Sequence, residues 1–260
     1  MAKPLPWSTV WITGAGTGIG REVALRLARR GATVAVSART LSDLESLARE
    51  APGIHPYPLD VADAAATKAT ATSIEEAHGP IDLVILNAAI WRRMFLHELD
   101  VAKVAKAMNI NFMGVVHGID AVLPAMLARR AGHIAIVGSV AGYRGLPGSA
   151  AYSPGKAALM NLAEVMRLEL EGKGITTTII SPGFVDTPMT RVNDFPMPFI
   201  MPAGAAAERI VRGLEQRKYE IAFPWQLAYA LWLGKVLRNE GYFRYARWFL
   251  LPRDDGRSKG

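Results

Sequence analysis

The chain contains no cysteine. Disulfides, thiolate metal sites and cysteine nucleophiles are therefore excluded from its fold and chemistry. An apolar leader with a cleavage site is also missing. Met1-Ala2-Lys3-Pro4-Leu5-Pro6 runs almost directly into a β-rich segment, which reads as a cytoplasmic protein. No internal repeat, linker or low-complexity tract divides the sequence, and no zinc-finger or RNA-binding signature occurs. The formal charge of +7 favours anionic partners in principle, but the basic residues are scattered, so it reads as solubility rather than nucleic-acid binding.

What is present suits one large single-sheet domain: 260 residues, half of them hydrophobic. Strands are expected over residues 10–13, 33–37, 54–59 (despite Pro56 and Pro58), 81–86, 133–138 and 176–181. Helices are expected over 20–30, closed by Gly31, and over 42–50, 64–77, 101–127 with a bend near Gly114, and 151–170. Residues 81–86 are almost unbroken apolar, as befits a parallel strand buried on both faces. Strand and helix alternate, which implies an α/β, doubly wound parallel sheet of Rossmann type. In that architecture ligands lie at the carboxyl ends of the strands. We divide the chain into a dinucleotide-binding and catalytic domain, 1–220, and a C-terminal helical extension, 221–260.

The organising stretch is Thr13-Gly14-Ala15-Gly16-Thr17-Gly18-Ile19-Gly20, between the first strand and its helix. Glycines let backbone approach a ligand closely, and a new helix points unpaired N–H groups at an anion. The spacing is G-x-x-x-G-x-G; the common G-x-G-x-x-G pattern fails because Ile19 occupies one of its positions. An acidic residue that grips the adenosine ribose is expected about twenty positions on, at the end of the second strand. The chain reads Val36-Ser37-Ala38-Arg39-Thr40 there. A carboxylate would repel a ribose phosphate, whereas an arginine grips it, so NADP(H) is expected over NAD(H). Asp60, with Val61 after the third strand, is placed to touch the adenine or to cap the next helix.

Tyr152 and Lys156 stand four apart on a helix and share one face. A lysine cation about 4 Å from a phenol would favour the phenolate by up to ~4 kcal/mol at an effective dielectric near 20. Such a tyrosine exchanges protons with an alcohol or carbonyl oxygen. A solvated pair is the alternative. Pro154 requires the helix to begin near residues 151–153. Ser139, just past the fifth strand, is either a hydrogen-bond donor to the reacting oxygen or a turn serine. Asn111 either holds a water behind Lys156 or stabilises a kink.

Together these residues resemble the short-chain dehydrogenase/reductase family over roughly residues 10–190. The glycine motif is Thr13-Gly14 with Gly18-Ile19-Gly20, the tyrosine and lysine are Tyr152 and Lys156, and Ser139 lies thirteen before the tyrosine. Asn111 matches the fourth catalytic position. The proline-glycine segment is Pro182-Gly183, followed by Val185 and by Thr187 at the nicotinamide-contacting position. The family's Asn-Asn-Ala-Gly appears as Leu86-Asn87-Ala88-Ala89, which keeps Asn87 and Ala88 for the cofactor. Many NADP-preferring members carry a basic residue inside the glycine turn; Thr17 stands there in this chain, so the NADP expectation rests on Arg39 alone. The resemblance implies metal-free hydride transfer with Tyr152 as acid/base, and a homodimer or homotetramer. A catalytically idle nucleotide sensor or scaffold is the alternative.

Substrate choice is expected in residues 90–95 and 188–202, where Phe195, Met197, Phe199, Ile200 and Met201 either point to a hydrophobic alcohol or ketone or simply pack on the domain. The tail, 222–251, is rich in Trp, Tyr, Phe and Leu, interrupted by Lys235, Arg238, Arg244 and Arg247. Its clean apolar run is too short to cross a bilayer, which takes ~20 residues. Three roles stand open: packing on its own domain or a second subunit, lying on an anionic membrane surface, or walling a substrate pocket.

Overall fold

The computed structural model describes residues 4–249. Strands β1 (Thr9–Thr13), β2 (Thr33–Ser37), β3 (Ile54–Pro56), β4 (Leu83–Leu86), β5 (Gly132–Val137) and β6 (Ile175–Pro182) follow the expected order. A seventh, β9 (Glu220–Phe223), is joined to β6 in the sheet order β3-β2-β1-β4-β5-β6-β9. Every pairing is parallel, so all the carboxyl ends share one edge. A separate two-residue pair, β7 (Val185–Asp186) with β8 (Met201–Pro202), folds the segment between them back on itself. The boundary drawn at residue 220 falls inside β9, so the sheet reaches Phe223.

Helices α1 (Gly18–Ala28), α2 (Leu41–Ala48) and α7 (Ala203–Glu215) cover one face of the sheet. Helices α3 (Ala64–His78), α5 (Gly114–Arg129) and α6 (Ser153–Leu170) cover the other. Residues alternate between the two cores as the pleat requires: Val10 and Ile12 face the first, Trp11 the second. The Trp11 indole N–H would be costly to bury alone, and it donates to Ser37 Oγ at 3.0 Å.

Three expected elements differ. The strand expected over 54–59 is regular only to Pro56, although the N–H groups of Tyr57 and Leu59 still donate to Val36 O at 2.9 Å and Ala38 O at 3.0 Å; Pro56 and Pro58, which have no N–H, are tolerated because β3 is the edge strand. Strand β4 begins two residues late, although the Asp82 backbone still bonds both neighbouring segments, donating to Thr9 O at 2.9 Å and accepting from the His133 N–H at 2.9 Å, while its carboxylate accepts from the N–H of Ser8 at 2.8 Å and of Thr9 at 3.2 Å. The single helix expected over 101–127 is two, α4 (Val101–Met108) and α5, joined by a π-helical turn Asn109–Met113. Gly114, where the bend is expected, is the first residue of α5, and its lack of a side chain has a packing reason. A side chain on Gly114 would lie 2.7 Å from Val61 Cγ2. The stretch Val101–Arg129 is long and apolar enough to cross a membrane by composition, but its residues Val115, Ile119, Val122 and Met126 are buried in the sheet core.

Helices α8 (Trp225–Val236) and α9 (Asn239–Phe249) complete the described chain. The remainder of the expected extension lies outside the described residues.

Candidate active site

A groove with a volume of about 300 Å³ runs along the carboxyl edge of the sheet, from Arg39 and Asp60 past the glycine turn to Ser139, Tyr152 and Lys156. The glycines are there for space. Gly14, at φ +65°, leaves room where a Cβ would lie 2.7 Å from Ala88 Cα. A Cβ on Gly20 would meet the Gly14 carbonyl at 2.6 Å, so Gly20 lies behind the groove and sets how closely α1 approaches β1. Asn87 locks this arrangement by donating from Nδ2 to the carbonyls of Thr13 at 3.1 Å and Gly14 at 2.9 Å. Thr13 Oγ1 in turn accepts from the N–H groups of Asn87 (3.0 Å) and Ala88 (3.2 Å). Asn87→Ala removes two donors and leaves both carbonyls without them. It is expected to destabilise the protein by about 1–3 kcal/mol, read from the urea unfolding midpoint, and to weaken nucleotide binding with it.

Gly14, Thr17, Gly18, Ile19, Arg39, Asp60, Val61, Asn87, Ala88, Pro182, Gly183, Val185 and Thr187 all line the groove. Thr187 reaches the turn itself, since a Cβ on Gly18 would lie 2.9 Å from its Cγ2. Asp60 does not cap the next helix. Its Oδ1 accepts from the Ala62 N–H at 3.0 Å, and Asp63 is the cap, accepting from Ala66 at 2.9 Å. Two groups near Arg39 escaped sequence reading. Asp43, on the first turn of α2, lines the same end, with Oδ2 3.5 Å from where a Cβ on Gly16 would stand. Arg21 tethers that corner from outside the groove: it donates to Asp43 O at 3.2 Å and Ser46 Oγ at 3.2 Å, and pairs with Glu50. Neither carries a motif signal, because their proximity arises from packing of α1 against α2.

At the other end, Tyr152 directly precedes α6, and Pro154 sits in that helix's first turn as expected. Ser139 Oγ donates to Pro182 O at 3.3 Å and accepts from the Ala141 N–H at 3.1 Å. Lys156 is buried, and its Nζ donates to Val137 O at 2.7 Å while standing 5.5 Å from the Tyr152 ring centre. Burial dominates both titrations. It pushes the Tyr152 phenol up to about 12, against a hydrogen bond from Ser139, and the Lys156 ammonium down to about 7. The strong lowering expected for Tyr152 is thus not found, because burial raises the phenol and lowers the lysine whose charge was to offset it. Asn111 is buried in the π-helical turn, outside the groove. Its amide is committed on both sides to Ile90, accepting from the N–H at 2.7 Å and donating to the carbonyl at 2.9 Å.

A second cavity, of about 390 Å³, meets the groove at Ser139 and Tyr152. Its walls are mostly apolar: Trp91, Leu146, Phe184, Phe195, Pro196 and Pro198, closed by Leu227 and Leu231 of α8. Phe199 and Ile200, expected here, are exposed instead, and Met201 pairs in β8. Trp91 stands edge-on to Tyr152 at 5.0 Å and donates Nε1–H to Asn193 Oδ1 at 2.8 Å. Arg93 pairs with Asp194 at 2.7 Å, a second tie between the two substrate segments.

A phosphate-sized glycine cradle, a parallel-sheet edge and a Ser-Tyr-Lys constellation beside an apolar cavity define a nucleotide-binding oxidoreductase of the Rossmann type. The short chain dehydrogenase family model matches residues 8–195, and the chain belongs to that family. It is therefore an oxidoreductase of CH–OH and C=O groups. An uncharacterized oxidoreductase of Myxococcus xanthus is 39% identical over 247 residues, covering 94% of this chain and 98% of that relative. The D-erythrulose reductase of Gallus gallus is 40% identical over 183 residues, or 70% of this chain and 73% of its own length. Among solved structures, a short chain dehydrogenase/reductase of Burkholderia phymatum in complex with NAD shares the fold, with a TM-score of 0.80 at 24% identity over 88% of this chain and 93% of that one.

Proposed function

We propose that the protein transfers a hydride between NADP(H) and a hydrophobic alcohol or ketone, in the cytoplasm, with Tyr152 as the acid/base. The observation that carries this is the junction of the cofactor groove and the apolar cavity at Ser139 and Tyr152. The bound nicotinamide supplies or accepts the hydride. The chain does the rest. Ser139 orients the substrate oxygen, Tyr152 gives it a proton in reduction and takes one in oxidation, and Lys156 holds positive charge beside the phenol. Asn111 holds the loop at Ile90 in place. Turnover of hydrophobic ketones with NADPH tests the reading; nucleotide binding without turnover across a broad panel favours the sensor alternative.

NADP over NAD rests on Arg39, exposed at the rim of the groove, and on the lack of an acidic residue directly after β2, where the chain reads Ala38-Arg39-Thr40. Asp43 favours the second reading, NAD(H), since its carboxylate lies at the same end and repels a ribose phosphate. Arg39→Asp is expected to lower the ratio of NADPH to NADH affinity at least tenfold, about 1.4 kcal/mol. Fluorescence titration, with energy transfer from tryptophan to the reduced nicotinamide, measures it; an unchanged ratio discards the Arg39 argument. Assembly as a homodimer or homotetramer is supported by apolar Val165 and Leu168, exposed on α6, and light scattering gives the molar mass.

A further inference from the structure

A helix that is apolar on every side belongs in an interior. Helix α8 is apolar all round, yet only one side of it is covered. Leu227 and Leu231 close the substrate cavity, and Ala228, Leu231 and Gly234 are buried against the domain. On the opposite side Trp225, Tyr229, Trp232 and Val236 form a stripe at helical spacing, with 66%, 55%, 46% and 60% of their surfaces exposed. Phe243 of α9 and Leu237 between the helices are exposed as well.

Charge says what covers the stripe. Lys235 on α8, Arg238 in the link, and Arg244 and Arg247 on α9 are exposed, and no carboxylate pairs with them among the described residues. Glu240 is the one acidic residue of the two helices. A second copy docked about a two-fold axis would bring this cationic patch against itself. An anionic lipid surface instead complements it. Trp and Tyr favour the headgroup boundary, and arginines meet the phosphates. At 12 residues α8 is too short to span a bilayer, which takes about 20, but long enough to lie in its surface.

We propose that α8 and α9 seat the protein on an anionic bilayer surface, the exposed stripe of α8 in the lipid and its opposite side walling the substrate cavity. A lipophilic substrate then enters from the membrane beside the helix that encloses it. That second part rests on the oxidoreductase reading; the docking does not.

The test is flotation of the full chain with vesicles of phosphatidylcholine alone and of an equal mixture with phosphatidylglycerol. The mixed vesicles are expected to capture it at least about tenfold better. W225S/W232S should lose about tenfold in that capture, and R238E/R244E/R247E should lose the preference for anionic lipid. All of these side chains are exposed, so both variants are expected to fold and to bind NADPH as the parent does. Failure of the parent to float, or flotation of both variants like the parent, overturns the proposal. So does a parent that stays off vesicles but forms a dimer that W225S/W232S breaks, which assigns the stripe to a second copy. Binding of NADPH and of NADH, measured without vesicles, separates the readings: absence of both refutes the oxidoreductase reading and leaves the flotation result standing.

Discussion

Tyr152→Phe is expected to lower kcat by roughly 10²- to 10⁴-fold, the range a positioned acid/base supplies, with NADPH affinity kept. The variant deletes one oxygen and preserves the ring, so the edge-on contact with Trp91 at 5.0 Å survives. Ser139 retains its bonds to Pro182 and Ala141, so the local backbone has no cause to move. What disappears is the group able to pass a proton to the substrate oxygen at the meeting point of groove and cavity. Steady-state kinetics with a ketone and NADPH, alongside a fluorescence titration of the cofactor, read both halves. Turnover within a few fold of the parent would assign the proton transfer to another group.

Whatever depended on local pattern was legible in the sequence. Residues 33–37 form a strand with the expected limits, because Thr33, Val34 and Val36 favour strand and the segment stands between a glycine turn and a polar turn. The glycine turn, Ser139, Tyr152 and Lys156 converge because parallel strands deliver their carboxyl ends to one edge, a consequence of topology that alternating β and α segments already imply. Strand β9 was missed because four residues, Glu220–Phe223, carry little periodic signal and gain their strand character from pairing with β6. Asp43 beside the glycine turn, and the commitment of Asn111 to Ile90, were hidden for the same reason: each depends on which helix packs where. The tail shows both sides. Its composition suggested three roles, and the structure gives two of them, domain packing and the pocket wall, to one side of α8. Titration behaviour was the least legible, because spacing places Lys156 beside Tyr152 but does not disclose how dry the site is.

That dryness makes Lys156→Met the other large expected effect, and one with opposite signs for activity and stability. The ammonium is carried from its usual 10.5 to about 7 by burial. Because the folded value lies below the unfolded one, the unfolded chain holds more protons between these limits, and stability rises with pH across that window. Below about pH 7 the folded protein carries the full cost of a buried cation, offset in part by the bond to Val137 O at 2.7 Å. Methionine has similar volume and no charge to desolvate, and replacing buried ionic groups by apolar ones is often stabilising by ~1–4 kcal/mol. The ligand-free variant is therefore expected to melt several degrees higher near pH 7, at about 2–4 °C per kcal/mol for a chain of this size. The gain should shrink toward pH 10, because the parent's lysine is already neutral in the folded state and the cost of removing its proton falls as the pH approaches the unfolded value of 10.5. Activity should fall by about 10²-fold or more near and below pH 7, where the parent's lysine carries its charge, since the phenol, already pushed up to about 12, then has no cation beside it. Thermal unfolding near both ends of the window, with kcat measured in parallel, checks the pair of signs. A variant that is less stable at pH 7 would mean that the Val137 bond outweighs desolvation, and would remove the stability cost from this site while leaving its role beside Tyr152 to the kinetics.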